Sequence, residues 1–375
     1  MPQIDDYLSV TVQEKASDFH LCTGVLPAFR IHGTMITATE ESAEPFTADT
    51  IRDLLKEIMP DANWKEYEEA GDTDFAYAID GAGRFRVNAF VDHNGPGAVF
   101  RHIPNRILSL EDLHMPPVVK RLCELRKGLV LVTGPTGSGK TTTLAAMIDY
   151  INKHRQEHIV TIEDPIEFLH ENRNCLINQR EVKKHTESFQ KALRAALRED
   201  PDIVLVGEMR DLETTATAIE TAETGHLVLA TLHTTTATST VDRIIDQFPA
   251  DRQGQIRTML ASTLKGVVSQ SLLKRKDGEG RVAGLEILIV TAGVAANIRE
   301  GKTHQLPSAL QTGGAYGMQM LNGHLLQLVQ AGIVDPDEAY RHSVDKAGMA
   351  ARLNAAGMPT QTDVDETLLA TSPRR

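Results

Sequence analysis

The stretch from Leu129 to Ile151 constrains this chain more than any other. It opens with Leu129-Val130-Leu131-Val132, the pattern of a strand covered on both faces. Gly134-Pro135-Thr136-Gly137-Ser138-Gly139-Lys140-Thr141 follows and satisfies G-x-x-x-x-G-K-[ST] at every fixed position. Beyond it Leu144, Met147, Ile148 and Ile151 recur at helical spacing. Glycines let the backbone turn tightly and aim several N–H groups at one phosphate chain, and the helix N-terminus adds its positive end. Lys140 is expected on the β- and γ-phosphates and the Thr141 hydroxyl on Mg²⁺, with Thr142 completing the binding turn. The loop implies a nucleoside triphosphate and leaves open what its energy is used for.

At 375 residues the chain has room for two domains. The formal net charge of −12 argues against a broad nucleic-acid-binding face, so nucleotide binding must rest on local cations. Cys22, Cys123 and Cys175 form no C-x-x-C pair, which indicates neither a zinc site nor a disulfide framework and fits a reducing compartment. The first residues lack the basic and apolar segments of a signal peptide, and no apolar run reaches the ~20 residues of a membrane span. The expectation is a cytoplasmic protein without direct membrane insertion, reaching a membrane only through a partner.

Residues 1–103 read as a small α+β domain. Its helices are expected over 4–15, 47–59 (capped by Thr47) and 61–70, and its strands at 18–21, 28–31, 73–79, 84–90 and 98–101. Asn94-Gly95-Pro96-Gly97 reads as a turn. Pro104 and Pro116-Pro117 bracket an expected linker over 104–117, with one helical turn near Asp112. From 118 to 356 strands and helices alternate, the signature of a parallel sheet with helices on both faces. Strands are expected at 159–162, 203–206, 227–231 and 285–290. Helices are expected over 187–198, with Phe189, Leu193 and Leu197 inward, and from Ile256 to Leu272. Asp335-Pro336 reads as a cap and first position of one of the last helices. Residues 357–375 read as a disordered tail.

In open parallel sheets ligands sit beyond the carboxyl ends of the strands. Four strands here end in polar residues on that edge: Thr133, Glu163-Asp164, Glu208 and His233. One carboxylate can deprotonate water and another can hold Mg²⁺ through its water shell. The reading takes Glu163 as general base and Glu208 as the Mg²⁺-side acid, although sequence alone allows the two roles to be exchanged. His233 ends its strand at the active edge and is read as a phosphate sensor. His226 opens the same strand and is an equal choice between nucleotide contact and structure. The transition-state charge of a transferred phosphoryl is often neutralised by a borrowed arginine. Arg86 and Arg101 are the candidates, whereas Arg84 reads as part of a solvated strand face.

Together these motifs resemble the type II/IV secretion ATPases, and most closely the pilus retraction ATPases among them. The resemblance rests on the phosphate loop, the acidic box Val160-Thr161-Ile162-Glu163-Asp164-Pro165-Ile166-Glu167-Phe168, the Walker B stretch 202–211 and the histidine box 225–234. Arg84–Asn88 and Gly97–Arg101 look like the family's arginine-bearing strands, and Ile298–Lys302 with Gly317–Gln319 look like its C-terminal region. It implies a PAS-like N-terminal domain, a RecA-like P-loop ATPase core and a homo-hexamer. ATP would lie between the core of one subunit and neighbouring N-terminal elements. Hydrolysis would drive pilus retraction and twitching motility through an inner-membrane platform protein. The resemblance makes Glu163 the base, His233 a nucleotide contact and Arg86 and Arg101 the clamps. Within it an accessory retraction ATPase or an assembly or secretion ATPase is an alternative. A nucleotide-gated regulator with little turnover is the alternative from another class.

Overall fold

The computed structural model describes residues 2–31, 33–37, 44–79, 83–103 and 106–360. Pro104, at the start of the expected linker, and residues 361–375 of the expected tail lie outside them. The chain splits into two compact units, Met1–Arg106 and Ile107–Arg375.

The first unit runs α1 (Ile4–Gln13), β1 (Asp18–Cys22), β2 (Ala28–Ile31), β3 (Thr34–Thr37), α2 (Ala48–Ile58), α3 (Asp61–Ala70), β4 (Asp72–Ile79), β5 (Gly83–Asp92) and β6 (Gly95–Ile103). Its strands form one antiparallel sheet in the order β3-β2-β1-β6-β5-β4, a PAS-like arrangement extended by β3. Strand alternation sends Phe85 and Val87 of β5 and Phe100 of β6 into a core closed by Ile4, Leu8, Ile51 and Leu55, all fully buried. Each such side chain contributes roughly 1.5–3 kcal/mol. Thr47 caps α2 by accepting from the Thr50 N–H at 3.2 Å, and α3 stops where Gly71 adopts φ 81°. The β5–β6 turn lies earlier than 94–97, because Asp92 pairs with Gly95 and its Oδ1 accepts from the amides of Asn94 (2.7 Å) and Gly95 (3.2 Å). β3 was not anticipated; all four of its residues are exposed, so it carries no apolar alternation.

The second unit begins with α4 (Pro117–Cys123), β7 (Gly128–Thr133), α5 (Lys140–His154), β8 (His158–Glu163), β9 (Leu176–Glu181), α6 (Phe189–Ala196) and β10 (Ile203–Val206). It continues with α7 (Leu212–Glu223), β11 (Leu227–Leu232), α8 (Ala237–Asp246), α9 (Ala250–Thr263), β12 (Leu264–Lys274) and β13 (Arg281–Ile289). It ends in α10 (Ala292–Arg299), α11 (Leu306–Thr312), α12 (Leu321–Gln330), α13 (Pro336–His342) and α14 (Lys346–Ala355). The sheet order is β13-β12-β7-β11-β10-β8-β9, parallel throughout except for the β12–β13 pair. Alternate residues of one strand enter opposite cores: Ile203 and Leu205 pack with α4 and α5, whereas Val204 and Val206 pack with the helices of the other face. This is the RecA-like α/β core, and double coverage explains why its central strands β7, β10 and β11 are buried at every position.

Three expectations are corrected. Residues 107–117 are not a linker but part of the second unit, where Leu110 and Met115 are buried in its core. The helix expected from Ile256 to Leu272 ends at Thr263, and β12 takes over, hydrogen-bonded to β7 on one side and β13 on the other. Tertiary pairing with buried, β-branched Val267 and Val268 overrides the helical spacing there. Leu197 is not inward but 37% exposed at the end of α6, whose buried residues are Ala192, Leu193 and Ala196. β9, α7 and α8 were not anticipated. Asp335 caps α13 as expected, accepting from the Asp337 amide at 3.0 Å.

On β13 one acid lies inside the fold. Glu286 is 8% exposed; it accepts from the first amide of α8, Ala237 N–H, at 2.8 Å, and from the first amide of α12, Leu321. Burial pushes its carboxyl up, and these two amides oppose the shift.

Candidate active site

Parallel register brings the loop and the strand-end residues to one edge. Thr133 pairs with Leu232, and Val206 pairs with both Ala230 and Ile162. The residues that follow, Gly134 onward, His233, Glu208 and Glu163, therefore emerge side by side. Gly134 N–H donates to Leu232 O (3.3 Å), Gly207 N–H to Ile162 O (2.8 Å) and Met209 N–H to Thr231 O (3.1 Å), which stitches the edge together.

The loop has the backbone its glycines permit. Gly134, Gly137 and Gly139 take φ of 146°, 78° and 85°, and a Cβ on Gly134 would stand 2.2 Å from Gln270 O. α5 starts at Lys140 behind Gly139, with no side chain capping its first amides. Thr141 and Thr142 stand in that first turn. An uncapped helix start following a glycine loop is a receptor for anions. Lys140 Nζ donates to Gly134 O (2.9 Å) and Pro135 O (3.1 Å). Burial lowers its pKa, opposed by the charges of Glu208 and Glu167.

The two acids differ in environment. Glu163 is 8% exposed, accepts from Thr161 Oγ1 at 2.6 Å and from Gln179 Nε2 at 3.2 Å, and burial pushes its pKa up to about 7. Glu208 is bound by Arg210 Nη2 (2.7 Å) and His233 Nε2 (2.8 Å). Burial pushes the Glu208 pKa up, but the bonds and charges of Arg210 and His233 outweigh it and hold the pKa below the ordinary value. The two environments push the pair apart: Arg210 and His233 favour the charged form of Glu208, whereas burial favours the neutral form of Glu163. Asp211 caps α7 through Thr214 N–H and Thr214 Oγ1, both at 2.8 Å.

His226 is corrected. Leu227 pairs with Gly128 at the entry end of both strands, five strand steps before Leu232 and roughly 17 Å from the loop edge. Its ring meets Thr221 O and Thr224 Oγ1, each at 3.1 Å. These contacts tie it to the end of α7 and do not bring it to the loop.

In the first unit Arg86 and Arg101 face each other across β5 and β6. Arg101 Nε donates to Asp18 Oδ1 at 2.9 Å, and Arg86 Nε stands 3.9 Å from Asp74. Like charges directly opposite repel, and each guanidinium here keeps much of its surface exposed. Arg84 is not merely solvated, since its Nη1 is buried without a hydrogen-bond partner among the described residues.

Sequence reasoning missed Thr161, Gln179, Arg210 and Gln270. Thr161 and Gln179 lie in register on β8 and β9, and β9 was unseen. A glutamine between the apolar pairs Val267-Val268 and Leu272-Leu273 was the available signal for Gln270.

The oxygen donors Thr141 and Glu208 suit a hard cation such as Mg²⁺. Among the described residues no cluster of three or more His, Cys, Asp or Glu could hold a metal by itself. A cation here would depend on phosphate oxygens for the rest of its shell.

Residues 1–321 match the profile of the type II/IV secretion system proteins, and the chain belongs to that family. Within it the likeness is to retraction motors. The chain is 50% identical over 336 residues to the type IV pilus retraction ATPase PilT of Pseudomonas aeruginosa, covering 90% of this chain and 96% of that one. It is 49% identical over 343 residues to a twitching motility protein of Neisseria gonorrhoeae, covering 90% of each. A crystal structure of the pilus retraction motor PilT with bound ADP superposes with a TM-score of 0.83 at 43% identity, covering 91% of this chain and 98% of that one.

Proposed function

We propose that this chain is a pilus retraction ATPase working as a homo-hexameric ring in the cytoplasm. ATP binds at residues 134–142, with Lys140 on its β- and γ-phosphates. A water molecule attacks the γ-phosphorus and gives a proton to the Glu163 carboxylate. The bond from the γ-phosphorus to the β,γ-bridging oxygen breaks, leaving ADP and phosphate. Mg²⁺, held by Thr141 and by Glu208 through water, would supply neutralisation of phosphate charge. His233 reports the γ-phosphate to Glu208, to which it is bonded at 2.8 Å. Arg86 and Arg101 act on a nucleotide held by another subunit. The ring works on an inner-membrane platform protein, through which it meets the membrane.

The observation that carries the reading is the divergence of the two acids, a buried Glu163 near pKa 7 beside a Glu208 kept ionised. A nucleotide-gated regulator has no need of that difference. Deletion of the gene, scored for surface pili and twitching, is the test. Abundant pili without twitching, rescued by the wild-type gene and not by Glu163→Gln, are expected. Bald cells would instead indicate an assembly ATPase, and rescue by Glu163→Gln would remove hydrolysis from the function.

A further inference from the structure

Gln270 lies on β12, far along the chain from the phosphate loop, and is 2% exposed. Its Nε2 donates to Ser138 O at 2.6 Å, and its Oε1 accepts from Thr143 Oγ1 at 2.9 Å. Thr143 is itself 1% exposed. A primary amide is costly to bury unless both ends are bonded, and here one end holds the loop and the other the helix that follows it. The loop is moulded on this residue. The Cβ that Gly134 lacks would strike Gln270 O at 2.2 Å, and the one that Gly139 lacks would stand 3.2 Å from Gln270 Nε2.

The direction of the bond to Ser138 matters. In a trans peptide the C=O and the N–H of one unit point opposite ways. Drawing Ser138 O toward Gln270 turns Gly139 N–H away from the sheet, into the cradle where phosphate oxygens must be met. The bond to Thr143, three residues after Lys140 on α5, fixes the rotation of the first helical turn.

We propose that Gln270 is a positioning residue for the nucleotide phosphates, setting the orientation of the 138–139 peptide and of the start of α5. The proposal rests on the reading of residues 134–142 as the nucleotide site. The test uses full-length protein and Mg·ADP, with titration calorimetry for Kd and steady-state phosphate release for KM and kcat. Gln270→Met keeps the volume and removes both bonds. Two neutral hydrogen bonds at ~1 kcal/mol each predict a rise in Kd and KM of roughly tenfold or more, with kcat at saturation changed by less than about threefold. Thr143→Val breaks one bond without changing shape and should raise Kd by about fivefold, which keeps the test open if Gln270→Met does not fold. A Kd within about twofold of wild type in a folded variant, with only the melting temperature lowered, would reduce Gln270 to a core residue and overturn the proposal. Loss of Mg·ADP binding in Lys140→Ala alongside that result would spare the site reading. A wild-type protein that binds no Mg·ADP, or a Lys140→Ala protein that binds it as well, would sink both.

Discussion

Replacing Thr161 by Val removes one hydroxyl from a buried site and leaves the shape intact. That hydroxyl donates to Glu163 Oε1 at 2.6 Å and favours the charged carboxylate. A hydrogen bond to a charged group contributes about 1.5–3 kcal/mol, or about one to two pH units at 1.36 kcal/mol each. The acid limb of kcat/KM in the wild type should fall near pH 7, where Glu163 ionises. In Thr161→Val it should move up to about pH 8–9. Activity at pH 7 would fall roughly 5- to 50-fold, while the alkaline plateau stays close to wild type. Phosphate release measured across pH 5.5–10 reads both numbers. An acid limb that stays in place or moves down, or an equal loss at every pH, would refute the assignment of Glu163 as the proton acceptor. The ionisation also has a stability signature. Because folding raises the Glu163 pKa from 4.5 to about 7, its contribution is full below pH 4.5 and is lost as pH rises through 7, by about 3 kcal/mol. Glu163→Gln should therefore melt higher than wild type above pH 7, although it is inactive.

Gly134→Ala should abolish Mg·ADP binding in calorimetry, since its Cβ would stand 2.2 Å from Gln270 O on a backbone with φ 146°. Asp211→Ala removes two 2.8 Å bonds from the start of α7 and should cost about 1 kcal/mol, a fall of about 2–4 °C in Tm by calorimetry, with kcat little changed.

The nucleotide loop was legible because its glycines, lysine and flanking elements are all local in sequence. Strand ends were legible because a polar residue after an apolar run marks where a buried strand surfaces. β12 was not, because Ile256, Met259, Leu260, Leu264 and Val267 keep helical spacing across a helix-to-strand junction. Only the partners β7 and β13 reveal the change. Losing that strand concealed Gln270. His226 and His233 look equivalent around one apolar run, yet a strand has two ends, and in a parallel sheet only one faces the ligand. The interval 107–117 looked like a linker because Leu110 and Met115 fall in no periodic pattern, although both enter the core.

Glu286 is a single carboxylate fastened to the leading amides of two helices, like a rivet through two plates. One of those helices, α8, begins four residues beyond His233; the other, α12, belongs to the distal helices. Sliding either along its axis would cost that buried carboxyl one of its two amide bonds unless the other followed. The start of α12 and the segment that follows His233 thus share one anchoring side chain.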